Sequence, residues 1–133
     1  MISKQELIHR IFMKMKAECG ALKEVALIGT QDEGTILIGQ NFTDMAPSFA
    51  EMLLPSLVKF ENFYKGTEIG EIDEINLFLG DTVLLIKSLQ TQGIYLLVAF
   101  NGNFKNAAQC VRPYFEKIKN VIGGNHGKSF DRR

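Results

Sequence analysis

Apolar residues recur at helical spacing in three segments of the chain, from about Ser3 to Cys19, from about Asp44 to Gly66 and from about Asn103 to Gly123. The first segment opens with a serine and, three residues later, a glutamate, which is the spacing of a capping box. The other two segments contain Pro55 and Pro113. Because proline lacks the N–H that an inner helical turn requires, we expect a kink or a split at Pro55 and a kink at Pro113.

Five shorter apolar runs have the length and composition of β-strands. They are Val25–Ile28, Thr35–Ile38, Ile75–Leu79, Val83–Leu89 and Ile94–Phe100. An acidic turn with a glycine joins the first two into a hairpin, and short turns join the last three into a meander. The later runs are apolar at consecutive positions, so both faces of the sheet must be covered. The order helix, two strands, helix, three strands, helix predicts an α/β (α+β) fold: a three-layer α/β/α sandwich around a five-stranded antiparallel sheet.

The length of the chain suits a single domain. We place this domain at residues 1–122 of the 133, followed by a flexible tail at 123–133. The tail contains Gly123–Ser129, which looks like a phosphate-binding P-loop. However, Ile122 stands where the motif requires glycine, and a helix precedes the loop where the motif needs a strand. We therefore expect no nucleotide binding by the tail.

Charge and hydropathy exclude several classes of partner. The chain has 15 Lys and Arg against 15 Asp and Glu, so it lacks the excess of positive charge that nucleic-acid binding requires. It also lacks an apolar segment long enough for a signal sequence or a membrane span. We therefore expect a cytoplasmic protein that binds no nucleic acid and does not insert into membranes.

Residues with catalytic or metal-binding chemistry are few. His9 and His126 have no Cys, Asp or Glu at the spacing of metal ligands, so no metal site is predicted. Cys19 and Cys110 lie in helical segments far from any paired motif, and we expect two reduced thiols in the core. No nucleophile has an evident activating partner. The sequence therefore predicts neither an enzyme nor a cofactor.

Two surfaces are candidate contacts with other proteins. The second helix has more Met and aromatic side chains than one helix face needs to cover a small sheet. The run Ile75–Leu79 should lie at a sheet edge if the meander extends outward from the hairpin, and an apolar edge invites pairing with a second copy across a two-fold axis. The preceding stretch Glu68–Glu74 is acidic, contains no Lys or Arg, and is expected to face solvent or a partner.

The order of elements and two local patterns resemble the roadblock family of dynein light chain-like proteins, which is related to the longin and profilin-like folds. The first pattern is the hairpin Val25–Ile38, with its acidic turn and glycine. The second is Gly93–Phe100, followed by Asn101–Asn106 leading into the last helix. The resemblance covers about Leu7 to Val121, nearly the whole chain.

The resemblance implies a non-enzymatic dimer in which the third strands pair into one long sheet and the second helices lie side by side. It implies association with a second copy, as a homodimer, or with a roadblock-like paralogue. It also implies binding to a small Ras-like GTPase or to a signalling or motor scaffold. Carried over by position, the dimer interface comprises Met45, Phe49, Met52, Phe60, Ile75, Asn76, Leu77, Phe78 and Leu79.

A small-ligand sensor of the profilin or PAS-like kind is the alternative. In that hypothesis Phe49, Phe60, Phe78 and Phe100 line a pocket between the sheet and a helix. The two hypotheses make different demands on the structure. An adaptor needs an exposed apolar strip that dimerisation can bury, whereas a sensor needs an internal cavity.

Overall fold

The computed structural model describes residues 2–29, 35–40, 45–64, 66–70, 72–91 and 93–123. Within these ranges, the side chains of residues 35–40, 45–51, 54, 90 and 91 lie outside the description. The predicted tail also lies outside it, apart from Gly123. The described residues form three helices and five strands: α1 (Lys4–Glu18), β1 (Leu22–Gly29), β2 (Thr35–Gln40), α2 (Met45–Tyr64), β3 (Glu74–Leu79), β4 (Thr82–Thr91), β5 (Ile94–Asn101) and α3 (Phe104–Gly123).

The strands form one antiparallel sheet in the order β2-β1-β5-β4-β3. The strand β5 is central because it pairs with both β1 and β4, which joins the hairpin to the meander. The mixed α/β class and the antiparallel sheet that the sequence predicts are confirmed. The prediction that β3 lies at a sheet edge is also confirmed, since among the described strands β3 pairs with β4 alone.

Helices cover both faces of the sheet. On one face, Phe12 of α1 and Ile118 of α3 are buried in a cluster with Leu85, Val98 and Phe100. On the other face, Leu57 of α2 is buried in a second cluster with Ile86, Tyr95 and Leu97 of the sheet. Side chains of consecutive strand residues point to opposite faces, so the unbroken apolar runs of β4 and β5 supply both clusters.

Short polar side chains cap the first and the last helix. The Ser3 hydroxyl accepts a hydrogen bond from the Glu6 N–H (3.0 Å), and the Asn103 amide oxygen accepts one from the Asn106 N–H (3.0 Å). A split of α2 at Pro55 is wrong, because Pro55 lies within one continuous helix, as Pro113 does in α3. Both rings are exposed, and the tertiary contacts on the opposite side of each helix offset the missing backbone hydrogen bond.

Cys19 and Cys110 form a disulfide, so the expectation of two reduced thiols is wrong. The bond joins the end of α1 to the first half of α3, with the two Cα atoms 5.9 Å apart and 91 residues between them in sequence. Sequence spacing does not reveal this pairing, because it depends on the packing of α1 against α3. Nothing in the described residues forms a helix long and apolar enough to cross a membrane.

Candidate functional site

The outer edge of β3 presents backbone hydrogen-bonding groups that β4 does not use. The Ser88 N–H donates to the Asp73 carbonyl (2.9 Å), and the register continues without a bulge through Ile75↔Ile86 and Leu77↔Leu84. In an antiparallel pair, the residues that exchange hydrogen bonds alternate along the strand. Since Asp73 bonds to β4, so do Ile75, Leu77 and Leu79, whereas the N–H and C=O groups of residues 74, 76 and 78 point outward.

The side chains of β3 also alternate between the two faces of the sheet. Ile75 and Leu77 pack, partly buried, against the cluster beneath α2, and Leu79 follows on the same face with 49% of its surface exposed. Phe78 lies on the other face, where its ring meets the edge of the Phe104 ring with the centroids 5.4 Å apart. The Phe78 side chain remains 64% exposed, so the end of β3 carries an uncovered aromatic ring.

An ion pair ties β3 to α3 on the Phe78 face. The Arg112 guanidinium donates to both oxygens of the Glu74 carboxylate, at 2.7 and 2.9 Å. The Asn76 amide nitrogen donates to the same carboxylate at 3.0 Å. The hydrogen bond from Arg112, which is the largest effect, and the bond from Asn76 lower the pKa of Glu74 below its ordinary value, against the opposing effect of partial burial.

The acidic stretch is therefore not simply a solvated or partner-facing loop. Glu74 is paired with Arg112, and Asp73 accepts a hydrogen bond from the Lys87 ammonium at 2.8 Å. The expectation counted charges only within the stretch. The neutralising cations come from β4 and α3, which are distant in sequence and adjacent in the fold.

Among the described side chains of α2, three large apolar ones lie exposed. Met52 and Phe63 are each 72% exposed, and Phe60 is 50% exposed. Their spacing places them on one side of the helix. On the side towards the sheet, Leu57 is buried and the Glu61 carboxylate accepts a hydrogen bond from the Tyr95 hydroxyl. These contacts fix the rotation of α2 and leave the apolar stripe formed by Met52, Phe60 and Phe63 exposed beside them.

The structure brings only some of the predicted interface residues together. Met52 and Phe60 lie on the outer stripe of α2, and Ile75 to Leu79 form the edge strand. The side chains of Met45 and Phe49 lie outside the described part. Phe63 is the exposed residue that the predicted interface omitted, although its spacing from Phe60 at i+3 marks the same helix face.

The pocket predicted for a small-ligand sensor is wrong. Phe60 is exposed on α2, on one side of the sheet. Phe78 is exposed on the other side, and Phe100 is buried in the cluster beneath α1 and α3. Phe60 lies on the opposite side of the sheet from Phe78 and Phe100, so these three rings cannot line one cavity. In the part of the chain that the structure describes, no group of three or more His, Cys, Asp or Glu residues could hold a metal ion.

Comparisons with known proteins agree with this architecture. No protein-family model matches the sequence, and no curated protein matches it. Among solved structures, MglB in a tetrameric arrangement superposes with a TM-score of 0.71 at 12% identity, covering 92% of this chain and 93% of that one. A Roadblock/LC7 domain from Streptomyces avermitilis superposes with a TM-score of 0.67 at 10% identity, covering 86% and 96%. Profilin IA from Acanthamoeba castellanii gives a TM-score of 0.53 at 14% identity, covering 93% and 99%. The resemblance seen in the sequence is thus confirmed at the level of the fold, and the chain has the roadblock/LC7 fold.

Proposed function

We propose that this protein is a non-enzymatic dimeric adaptor or regulatory subunit of the roadblock type. It associates with a second copy or with a roadblock-like paralogue through the β3 edge and the outer stripe of α2. The dimer binds a small Ras-like GTPase or a signalling or motor scaffold in the cytoplasm. We place the functional domain at residues 1–122.

One observation carries the proposal: the described residues include both a strand edge that no other described strand pairs with and an exposed apolar helix stripe. The edge offers outward N–H and C=O groups at alternate residues of β3. The stripe exposes Met52, Phe60 and Phe63, of which Met and Phe are types enriched in protein interfaces. Pairing of two β3 strands across a two-fold axis keeps both α2 helices on the same face of the extended sheet, where their stripes can meet.

The likeness to MglB in a tetrameric arrangement supports self-association, because that protein with the same fold assembles from several chains. Binding to a Ras-like GTPase rests on the roadblock resemblance of the sequence. Two adjacent α2 helices form a broad surface that one chain alone does not provide. A GTPase that binds this surface therefore binds the dimer in preference to the monomer.

The first test is the solution mass of the full chain, measured by light scattering behind a sizing column across a wide range of concentrations. A dimer gives about twice the 14.9 kDa of one chain. A mass of one chain at every concentration, without a paralogue present, contradicts self-association.

Two aspartate variants and one control localise the contact. Phe78→Asp places a carboxylate on the pairing edge, and Phe63→Asp places one on the stripe. Each should weaken dimerisation by about 100-fold or more, since an unpaired charge buried in an interface costs several kcal/mol. The control Met13→Asp changes a side chain that is 51% exposed on α1, away from both surfaces, and should leave the mass unchanged. A dimer that survives both Phe78→Asp and Phe63→Asp contradicts the proposed interface.

The partner is tested with the same variants. Purified Ras-like GTPases, loaded with GDP or with a non-hydrolysable GTP analogue, are titrated into the wild-type protein and into the Phe78→Asp and Met13→Asp variants. Binding to wild type and to Met13→Asp, with loss in the monomeric variant, supports a dimer-dependent site. Equal binding to all three contradicts it.

A further inference from the structure

We propose that two copies pair β3 against β3 with the two-fold axis at Leu77, so that Leu77 meets Leu77 of the second copy and Ile75 meets Leu79. This inference rests on the dimer proposed above and specifies how its two strands are aligned. It follows from the direction of backbone groups and side chains along β3.

The backbone restricts the possible alignments. Within β3, residues 74, 76 and 78 are the ones that point their N–H and C=O groups outward, because their neighbours bond to β4. Hydrogen bonds across the new edge must therefore join an even-numbered residue to an even-numbered residue. A two-fold axis perpendicular to the sheet also makes the strands antiparallel. The alignments that pair two or more of the outward residues on each copy have the axis at residue 75, 76 or 77.

The residue that lies opposite each apolar residue of β3 distinguishes these three alignments. With the axis at Ile75, Leu77 lies opposite Asp73, whose carboxylate contacts Lys87 on the same face of the sheet as Glu74. With the axis at Asn76, Leu79 lies opposite Asp73. In both cases one apolar residue of β3 has no apolar partner across the edge. With the axis at Leu77, each of the three apolar residues of β3 on the α2 face lies opposite an apolar residue.

The exposure of individual side chains favours the axis at Leu77. Leu79 is 49% exposed in one chain, and Ile75 is packed against the cluster beneath α2. Placing Leu79 opposite Ile75 of the second copy extends that cluster across the axis on both sides. On the other face, the exposed ring of Phe78 lies opposite Asn76, whose amide oxygen is shielded from solvent and accepts no hydrogen bond among the described residues. In this alignment the Phe78 ring covers the Asn76 side chain, which is already partly buried in one chain.

Disulfide trapping tests the alignment in the full-length chain. In the proposed alignment Leu77 forms a non-hydrogen-bonded pair with its copy, with Cα atoms about 4.5 Å apart, which is within the range of a disulfide. Asn76 and its copy are diagonal neighbours about 7–8 Å apart, too far for a bond without backbone movement. We expect Leu77→Cys to cross-link under oxidised glutathione at least 10-fold faster than Asn76→Cys or Ile75→Cys. Wild type and Met13→Cys control for exchange with the native disulfide and for random collision.

A second measurement covers the case in which Leu77→Cys disturbs packing. Ile75→Cys and Leu79→Cys are produced separately and together. The alignment predicts a cross-linked dimer only when both variants are present in one sample, since each cysteine faces the other residue across the axis. A dimer of normal mass that cross-links through Asn76→Cys or Ile75→Cys alone overturns the alignment and leaves the proposed dimer intact. A wild-type mass of one chain overturns both.

Discussion

The ion pair between Glu74 and Arg112 is expected to stabilise the fold by holding the edge strand against α3. The Glu74 side chain is only 14% exposed, whereas Arg112 is 43% exposed, and both carboxylate oxygens accept hydrogen bonds from the guanidinium. Hydrogen bonds to charged groups contribute about 1.5–3 kcal/mol, and fully exposed ion pairs contribute about 0.2–1 kcal/mol. Because one partner is mostly covered and the other is half in water, we expect Arg112→Met to lower the free energy of unfolding by about 2 kcal/mol.

The effect should depend on pH in a definite direction. The pKa of Glu74 is lowered in the folded chain, chiefly by the hydrogen bond from Arg112, so the carboxylate binds fewer protons there than in the unfolded chain. The stabilisation is therefore complete above the ordinary carboxyl pKa of about 4.3 and is lost as the pH falls through the lowered value. The difference between wild type and Arg112→Met should be largest near neutrality and should shrink as the pH falls below the ordinary carboxyl pKa of about 4.3.

Urea unfolding followed by circular dichroism at several pH values measures this difference. At neutral pH a loss of about 2 kcal/mol corresponds to a fall of about 7 °C in melting temperature for a chain of this length. Lys87→Met is the matched control, because its partner Asp73 is 68% exposed and the pair should contribute less than about 1 kcal/mol. Samples must have equal solution mass, since dimerisation adds to apparent stability. A difference that stays constant from neutral to acid pH refutes the role assigned to Glu74.

Three further predictions concern the described residues. Cys110→Ser should lower the free energy of unfolding by about 3–4 kcal/mol, because the native disulfide closes a long loop. A reducing agent should lower the free energy of unfolding of the wild type by the same amount, and identical urea midpoints with and without reductant would argue against the disulfide. Tyr95→Phe should lower the free energy of unfolding by about 1–2 kcal/mol, because it removes the hydroxyl that donates to Glu61. A coupling energy of zero between Tyr95→Phe and Glu61→Ala in a double-mutant cycle would rule out that contact. Association with a GTPase should depend only weakly on salt, because Asp73 and Glu74 are already paired within the chain; a steep fall in on-rate with salt would show that the acidic stretch steers the partner.

Local patterns in the sequence were sufficient to predict the elements and the layers. Consecutive apolar residues in β4 and β5 require two covered faces, and this requirement alone predicts helices on both sides of the sheet. The cap at Ser3 and the edge position of β3 also follow from short-range signals, because a cap needs only the next three residues and an edge follows from the order of hairpins.

Contacts between distant segments were not predictable in the same way. Cys19 and Cys110 meet only because α1 packs against α3, and Arg112 reaches Glu74 only because α3 crosses the face of the meander. Neither pairing can be predicted from the spacing of residues along the sequence. The error about the sensor pocket is different, since the alternation along β3 already places Phe78 on the face opposite Ile75 and Leu77. Applying that rule to the sequence would have excluded a pocket shared by Phe78 and α2.

The disulfide between Cys19 and Cys110 closes the chain between them into a covalent ring, and a helical segment extends from each of the two cysteines. The ring contains all five described strands and α2, while α1 and the greater part of α3 extend from the place where it closes. A single cut by a protease within the ring, for example in the segment 66–70, leaves both pieces covalently joined. Such a nicked molecule migrates as one band without reductant and as two bands with it. The molecule can therefore lose the continuity of its backbone between strands and still retain every part of its sheet.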